Sequence, residues 1–220
     1  MQTTDVSRLL VLSRDRSRTH IERRLYHMGM GLTCFSLYAF ILNRVEALWT
    51  LLIVGGPFVL FDVLRFYSPQ LNELTLRLFG NIMRREELRR VSGNTFFIIG
   101  LILVTLFFPK PIVLLSVFYL AVGDPVAAIV GTMWGRHKLP GGRKSIEGAL
   151  ANFSLSALGT FVFAVSYLKL SPAQSCMLAG VGGTASVIAE ALPLPIDDNF
   201  TIPVVSAGVL AIAFYFLPFV

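Results

Sequence analysis

Long apolar runs constrain the fold of this chain more than any other feature of its sequence. They cover about residues 25–42, 47–64, 91–108, 112–134, 146–168, 173–192 and 202–220. A transmembrane α-helix needs roughly 17–25 such residues to cross the hydrocarbon core of a bilayer. The sequence therefore predicts an all-α, polytopic integral membrane protein with about seven transmembrane helices, within a range of six to eight.

The composition excludes most soluble classes of protein. Hydrophobic residues make up 55% of the 220 residues and charged residues only 15%, whereas a soluble domain carries about 25% charge. A soluble domain of this size would expose apolar patches that aggregate. The chain has only two cysteines, Cys34 and Cys176, and both lie inside apolar runs. Two cysteines are too few for a disulfide framework or a cysteine-based zinc site.

The distribution of positive charge predicts the orientation in the membrane. If the spans alternate in direction, one side carries six Lys and Arg residues before the first span, six in residues 65–90 and four in residues 135–145. The other side carries only Arg44, Lys110 and Lys169. Because basic loops stay in the cytoplasm, we expect a cytoplasmic N-terminus. The net charge of +6 then reflects topology, and no nucleic-acid partner is expected.

The chain divides into two parts on this basis. Residues 1–24 are interpreted as a basic cytoplasmic or interfacial segment rather than a secretory signal, because no small-residue cleavage site follows the first apolar run. Residues 25–220 form the predicted transmembrane catalytic domain. The sequence leaves the oligomeric state and the source membrane open.

Residues 123–148, GDPVAAIVGTMWGRHKLPGGRKSIEG, carry the densest pattern of polar and small residues. One helical stripe, with Ala127 beside it, would consist of Asp124, Ala128, Gly131 and Gly135. Small residues at this spacing let another helix approach closely. Pro125 lacks a backbone N–H and favours a kink. Asp124 therefore faces protein, where it could hold a cation or a polar substrate, or pair structurally with another span.

The second half of this pattern predicts a phosphate site. Gly141-Gly142 precedes Arg143 and Lys144, and Ser145 would open the next helix. Backbone N–H groups of glycine loops and helix N-termini attract phosphate. The loop is not a Walker A motif, because Arg143 stands where that motif needs glycine. A basic capped loop is the alternative, and Glu147 in the first turn could orient Lys144 or a metal.

A late acidic run predicts a metal site. Asp197 and Asp198 are adjacent and precede Asn199, with Thr201 as a plausible N-cap and Pro203 early in the helix. One such residue would be ordinary capping, but the repulsion between two carboxylates favours a bound cation. Oxygen ligands of this kind suit Mg²⁺ that carries phosphates.

Other polar residues have simpler interpretations. His27 lies at the predicted cytoplasmic rim, where it could be a general base, a phosphate donor or an interfacial side chain. Asp62 and Arg65, three residues apart, are interpreted as an ion pair that snorkels to the membrane surface. Glu86-Glu87, beside four arginines, is interpreted as part of a solvated amphipathic helix.

Four motifs in order resemble a known family. They are ERRLYHMGMG, FDVLRFYSPQLNELTLRLFGNIMRREELRRVSGNTFFIIG, GDPVAAIVGTMWG with RKSIEG, and AEALPLPIDDNFTIP, and they run from Glu22 to Pro203. The combination resembles the polyprenol (dolichol) kinase, CTP-dependent diacylglycerol kinase and phytol kinase family of polytopic membrane proteins. The resemblance implies transfer of the γ-phosphate of CTP to the hydroxyl of a membrane lipid alcohol, with a divalent cation such as Mg²⁺.

The residue patterns and the resemblance together predict roles for particular residues. The nucleotide-binding set is Asp124, Ala127, Gly131, Gly135, Arg143, Lys144, Ser145, Glu147, Gly148 and Asn199. The metal ligands would be Asp124, Asp197 and Asp198. Lys144 and Arg143 would hold the triphosphate, and an aspartate of the pair or His27 would accept the proton of the lipid hydroxyl.

Two other functions remain open. Phosphatidate cytidylyltransferases share the central pattern, but they continue with a late Lys-Asp segment and a Pro-Gly-His-Gly-Gly run that this chain lacks. Some kinases of the family have two lysines and a threonine where Arg143, Lys144 and Ser145 stand, which leaves the choice of nucleotide less secure. A small transporter is the non-enzymatic alternative, because intramembrane carboxylates also mark ion pathways. The acceptor lipid is open.

Overall fold

The computed structural model describes residues 16–79, 83, 87, 90–139 and 144–216, with side-chain burial from residue 23 onward. Its helices are α1 (Arg16–Phe40), α2 (Arg44–Leu64), α3 (Pro69–Phe79), α4 (Gly93–Phe107), α5 (Lys110–Met133), α6 (Ile146–Ser166), α7 (Pro172–Ala191) and α8 (Asp198–Phe216). A single bridge between Lys138 and Ser145 is the only strand-like pairing in this part of the chain. The predicted roles of Arg143 and of Gly141-Gly142, and most of the predicted N-terminal segment, lie outside the described residues.

The all-α, membrane-type architecture is confirmed. Four of the described helices, α2, α5, α6 and α8, are long and apolar enough to cross a bilayer, and α4 is a shorter apolar helix. Each of the seven predicted runs falls in its own helix, and α3 is additional. The count of seven spans and the orientation stay predictions.

Capping residues set most helix boundaries where the sequence predicts them. Ser145 is the N-cap of α6 and accepts the Gly148 N–H, and Ser171 forms a capping box with Gln174 at the start of α7. The predicted N-cap at Thr201 is wrong, because α8 begins three residues earlier, at Asp198. The carbonyl of Asp197 already accepts the N–H groups of Phe200 and Thr201.

Proline produces a π turn in two helices without ending them. The segments Leu51–Gly55 in α2 and Tyr119–Gly123 in α5 are π-helical, and each is followed two residues later by a proline. A proline leaves the carbonyl four residues earlier without its helical donor, and a π turn accommodates this. Asp124 has ordinary helical angles, φ −62° and ψ −49°. The kink expected at Pro125 is therefore a π turn in a continuous α5.

Helix α5 lies at the centre of the bundle. Its side chains Leu114, Tyr119 and Leu120 are fully buried, and α5 contacts α1, α6 and α8. The Tyr119 hydroxyl lies 2.8 Å from Thr160 Oγ1 of α6. Helix α2 lies at the periphery, with most of its apolar side chains exposed. The helix that carries Asp124 is thus surrounded by protein.

Small residues bring α5 and α6 into backbone contact, as their spacing predicts. A Cβ added to Gly148 would lie 2.7 Å from the carbonyl oxygen of Ala127, and one added to Gly131 would lie 2.9 Å from Ser145 Oγ. Both distances are shorter than side chains tolerate. The start of α6 therefore fits against α5 only because these positions lack side chains.

We predict that Gly148→Ala destabilises the protein although alanine favours helices. The new methyl group would press on the Ala127 carbonyl, and overpacking of this kind costs about 1–3 kcal/mol. Gly180→Ala in α7 is the matched control, because nothing lies within 4 Å of its Cβ position. Thermal unfolding of detergent-purified protein should show a lower midpoint for Gly148→Ala alone; equal midpoints would contradict the backbone contact.

Candidate active site

Polar side chains from six helices meet at one end of the bundle. The starts of α1, α4, α6 and α8 and the ends of α2 and α7 lie there, as contacts between their side chains show. Two groups can be distinguished. The lysine cluster consists of Lys144, Asn152, Glu190 and Asp198, and the arginine cluster consists of Asp62, Arg65, Glu87, Ser92 and Thr95.

Lys144 lies between two carboxylates. Its Nζ atom is 3.5 Å from Asp198 Oδ2 and 3.7 Å from Glu190 Oε1, and it donates to the backbone carbonyl of Glu190. The Lys144 side chain is 29% exposed. The structure therefore brings the predicted phosphate-binding lysine to the late acidic run, at a position that a solute can reach.

Asn152 forms the floor of the lysine cluster. Its Nδ2 donates to Glu190 Oε2 at 2.6 Å, and its Oδ1 accepts from Ser156 Oγ at 2.9 Å and Ser186 Oγ at 2.7 Å. A Cβ added to Gly123 would lie 2.4 Å from the same Oδ1. Asp124 is half-buried on α5 and directly follows Gly123, so it lies next to the residue that packs against Asn152.

The three residues of the late acidic run have three different partners. Asp197 Oδ1 accepts the Asn199 N–H at 3.0 Å, Asp198 contacts Lys144, and Asn199 Oδ1 accepts from His27 Nε2 at 2.6 Å. The two carboxylates thus bind different partners. His27 is also held by an edge contact with the Phe97 ring, 6.0 Å between ring centroids.

The described carboxylates fit a metal that arrives with its substrate. Among the described residues, no group of three or more His, Cys, Asp or Glu side chains could hold a metal ion. Mg²⁺ in kinase-type sites uses one or two carboxylates together with substrate phosphates. Asp198, partly exposed beside Lys144, suits that donor role. The assignment of Mg²⁺ to Asp124, Asp197 and Asp198 stays a prediction.

Glu147 organises the loop before α6. Its carboxylate accepts from His137 Nδ1 at 2.7 Å and from the His137 N–H at 3.1 Å. The Leu139 N–H donates to the Lys144 carbonyl, and the Ile146 N–H donates to the His137 carbonyl. These bonds hold Lys144 indirectly, through the backbone on either side of the loop.

The arginine cluster corrects two interpretations of the sequence. Arg65 does not snorkel: its side chain is fully buried, with Nε 2.7 Å from Asp62 Oδ1 and Nη2 2.7 Å from the carbonyls of Glu87 and Arg90. Glu87 is buried rather than solvated and accepts the Gly93 N–H at 3.1 Å. The chain folds back over Arg65 after α3, which local spacing does not reveal.

The arginine cluster also positions the start of α4 against α8. Asp62 Oδ2 accepts the Ser92 N–H at 2.8 Å and the Thr95 hydroxyl at 2.7 Å. A Cβ added to Gly93 would lie 2.5 Å from Asn199 Nδ2 and 3.6 Å from Asp197 Oδ1. The two clusters therefore meet at Gly93 and the first turn of α8.

An open cleft adjoins this meeting point. Its apolar wall includes Phe58 and Phe61 of α2 and Phe79 of α3. Its polar lining includes His27 and Asn199. The cleft is therefore apolar on one side and able to form hydrogen bonds on the other.

Several known proteins similar to this chain are named as lipid kinases. CTP-dependent diacylglycerol kinase 1 of Saccharomyces cerevisiae is 32% identical over 210 residues, which cover 87% of this chain and 72% of that protein. The protein of the same name in Schizosaccharomyces pombe is 30% identical, over 88% of this chain and 94% of its own length. The chloroplastic phytol kinase 1 of Arabidopsis thaliana is 25% identical, over 83% of this chain and 63% of its own length. No family model matches the chain, and no solved structure matches it.

These observations first define a class, that of all-helical proteins of membrane type that resemble lipid kinases. Identities of 30–32% over most of both chains then show the family. The chain belongs to the family of CTP-dependent diacylglycerol kinases and phytol kinases. The resemblance carried by the four sequence motifs is confirmed for these two branches of the family.

We predict that Asp62→Asn strongly destabilises the protein. The substitution leaves Arg65 buried without a charged partner, and breaking such a pair costs about 3–5 kcal/mol. Glu73→Gln is the matched control, because Glu73 and Arg77 form an exposed i,i+4 pair with side chains 64% and 75% exposed, worth about 0.3–0.5 kcal/mol. Thermal unfolding should separate the two variants clearly. Similar midpoints would mean that the buried pair does not hold this end of the bundle.

Proposed function

We propose that this protein is a CTP-dependent lipid kinase that transfers the γ-phosphate of CTP to the hydroxyl of a diacylglycerol-class lipid at the cytoplasmic face of a membrane. The relatives with identities of 30% or more are named as CTP-dependent diacylglycerol kinases, which supports both the donor and the acceptor. The observation that carries the site is the approach of Lys144 Nζ to Asp198 Oδ2, at 3.5 Å.

The reaction needs positioning and charge neutralisation more than covalent chemistry. The lipid hydroxyl oxygen attacks the γ-phosphorus, the bond to the β-phosphate bridging oxygen breaks, and CDP leaves with that electron pair. The hydroxyl proton passes to a base. Lys144 supplies a compact positive charge for the phosphates, at the start of α6, where backbone N–H groups also favour anions.

The carboxylates of the lysine cluster hold Lys144 in place and offer oxygen to a metal. Glu190 engages the amine through its side chain and its carbonyl, while Asp198 is the more exposed of the two carboxylates. We assign Asp198 as the donor to a nucleotide-bound Mg²⁺, with Asp124 and Asp197 as further candidates. Bound there, Mg²⁺ would neutralise charge on the transferred phosphate.

His27 is our candidate for the base. It is held by Asn199, the chain neighbour of Asp198, and it lines the cleft. Asp198 is already engaged by Lys144, so its carboxylate is a weaker proton acceptor. The imidazole is the side chain whose unperturbed pKa best suits proton transfer near neutral pH.

The cytoplasmic orientation is supported by the charges at the two ends of the bundle. The functional end lies beside the basic connections after α2 and α5. At the other end, Arg44 donates to the Leu106 carbonyl and Lys110 donates to the Leu42 carbonyl at 3.2 Å. The positive-inside rule then places the functional end in the cytoplasm, where CTP is available.

Position-specific labelling of CTP tests the reaction type. Purified protein in mixed micelles with diacylglycerol should transfer label from the γ-phosphorus to the lipid and release CDP. Label from the α-phosphorus in the lipid, with release of pyrophosphate, would make the protein a cytidylyltransferase. Phytol and polyprenol in parallel reactions test the acceptor, and a clear preference for either would contradict the diacylglycerol assignment.

Variants of the lysine cluster test the site. Lys144→Gln, Asp198→Asn and Asp124→Asn should each lower kcat by about 10²-fold or more, since each removes charge that stabilises the transition state. Lys169→Gln is the control for lysine, because Lys169 is exposed in the connection between α6 and α7. All variants should insert into membranes normally. Near-normal activity of both aspartate variants would remove the metal assignment.

A further inference from the structure

We infer that the cleft between α1, α2, α3 and the start of α4 binds the acceptor lipid, with its hydroxyl at His27 and Asn199 and the adjoining part of its chains against Phe58, Phe61 and Phe79. This inference rests on the proposed lipid kinase function and names the site of its second substrate. The cleft is separate from the lysine cluster that would hold the nucleotide phosphates.

The chemistry of the cleft matches a lipid alcohol. Phe58 and Phe79 meet edge to face, with 6.4 Å between ring centroids, and Phe61 follows Phe58 by three residues on the same face of α2. Aromatic rings of this kind offer a large apolar contact area. A ligand that is apolar along one part and carries a hydroxyl at the other would satisfy both sides.

The position of the cleft suits direct transfer. Asn199 lines the cleft and bonds to His27, while the preceding residue, Asp198, contacts Lys144. Asp198 and Asn199 are consecutive, so the residues that engage the two substrates lie in the same turn of α8. Direct transfer requires the bound hydroxyl oxygen and the γ-phosphorus to approach within about 3–3.5 Å.

The wall of the cleft belongs to a helix that faces lipid. Beside Phe58 and Phe61, α2 exposes Leu60, Val63 and Leu64, whose side chains are 59%, 39% and 44% exposed. In a bilayer, such a surface contacts the acyl chains of neighbouring lipids. A lipid alcohol could therefore place its head group in the cleft while its tails remain in the membrane.

The arginine cluster holds the other sides of the cleft. Asp62, Glu87, Ser92 and Gly93 line it as well as forming the buried network. Arg65 at the end of α2 binds the carbonyls of Glu87 and Arg90, so this side of the cleft is held by buried hydrogen bonds. The lining of the cleft, rather than the phosphate site, would distinguish one acceptor from another.

Kinetics with both substrates varied tests the inference. Phe61→Ala should raise the apparent KM for diacylglycerol, measured as mole fraction in mixed micelles, by about tenfold, with the KM for CTP unchanged. Phe107→Ala is the matched control, because this side chain is 69% exposed at the opposite end of α4. A rise in the KM for CTP would assign the cleft to the nucleotide, and an unchanged lipid KM would also overturn the inference.

A photoreactive lipid separates this inference from the proposed function. A diacylglycerol with a diazirine near the glycerol end should label peptides of α2 and α3 around Phe61 and Phe79, also in the Lys144→Gln variant, which should not turn over. Excess unlabelled diacylglycerol should suppress the labelling. Labelling elsewhere in a protein that is an active kinase would overturn the assignment of the cleft as the lipid site and would leave the proposed kinase function intact. Labelling here without transfer of any CTP phosphate would remove the kinase function and leave a lipid site.

Discussion

The first turn of α8 is the point on which the functional end of this bundle depends. Asp197 caps the turn, and the next two residues join separate elements: Asp198 contacts Lys144 before α6, and Asn199 bonds to His27 of α1. Gly93 at the start of α4 has room for no side chain against the same turn. Helices that are distant in sequence are therefore fixed relative to one another at this end by polar contacts as well as by packing.

These contacts also explain why charged residues can lie within so apolar a chain. An uncompensated charge in a low-dielectric interior is very costly, and a buried donor or acceptor without a partner costs about 1–3 kcal/mol. Arg65 meets this requirement with a carboxylate and two carbonyls, and Asn152 meets it with Glu190, Ser156 and Ser186. Lys144 differs from both because its amine remains partly exposed between two carboxylates. The buried contacts of Arg65 and Asn152 hold the helices together, and the partly exposed Lys144 remains accessible to a substrate.

Sequence patterns predict the helices and part of the candidate site, for physical reasons that also explain what they miss. Apolar runs and caps such as Ser145 and Ser171 act over a few residues, so the helical class and most boundaries follow from them. The small-residue spacing around Gly131 predicts that another helix approaches α5 closely, and the structure shows that this helix is α6. The motifs name Lys144 and Asp198 before any geometry is known. The environment of Arg65 and Glu87 depends on how the chain folds back after α3, which spacing does not encode. Asn152 and Ser186 could have been singled out as polar residues inside apolar helices. However, Asn152 bonds to Ser186 across 34 residues of sequence and to Glu190 across 38, so only the fold brings them together.

The relatives of the chain bear on the two binding regions that we propose, the phosphate site at Lys144 and the lipid cleft. Kinases named for diacylglycerol and for phytol match 87% and 83% of this chain, so a change of acceptor does not require a change of fold. Both alcohols present a hydroxyl on an apolar body, and they differ in the bulk next to that hydroxyl. A phosphate site of one lysine and nearby carboxylates is indifferent to this bulk, because it contacts only the donor. Discrimination would then come from side chains that meet the acceptor next to its hydroxyl, and in the lipid site that we propose these are the aromatic side chains of α2 and α3.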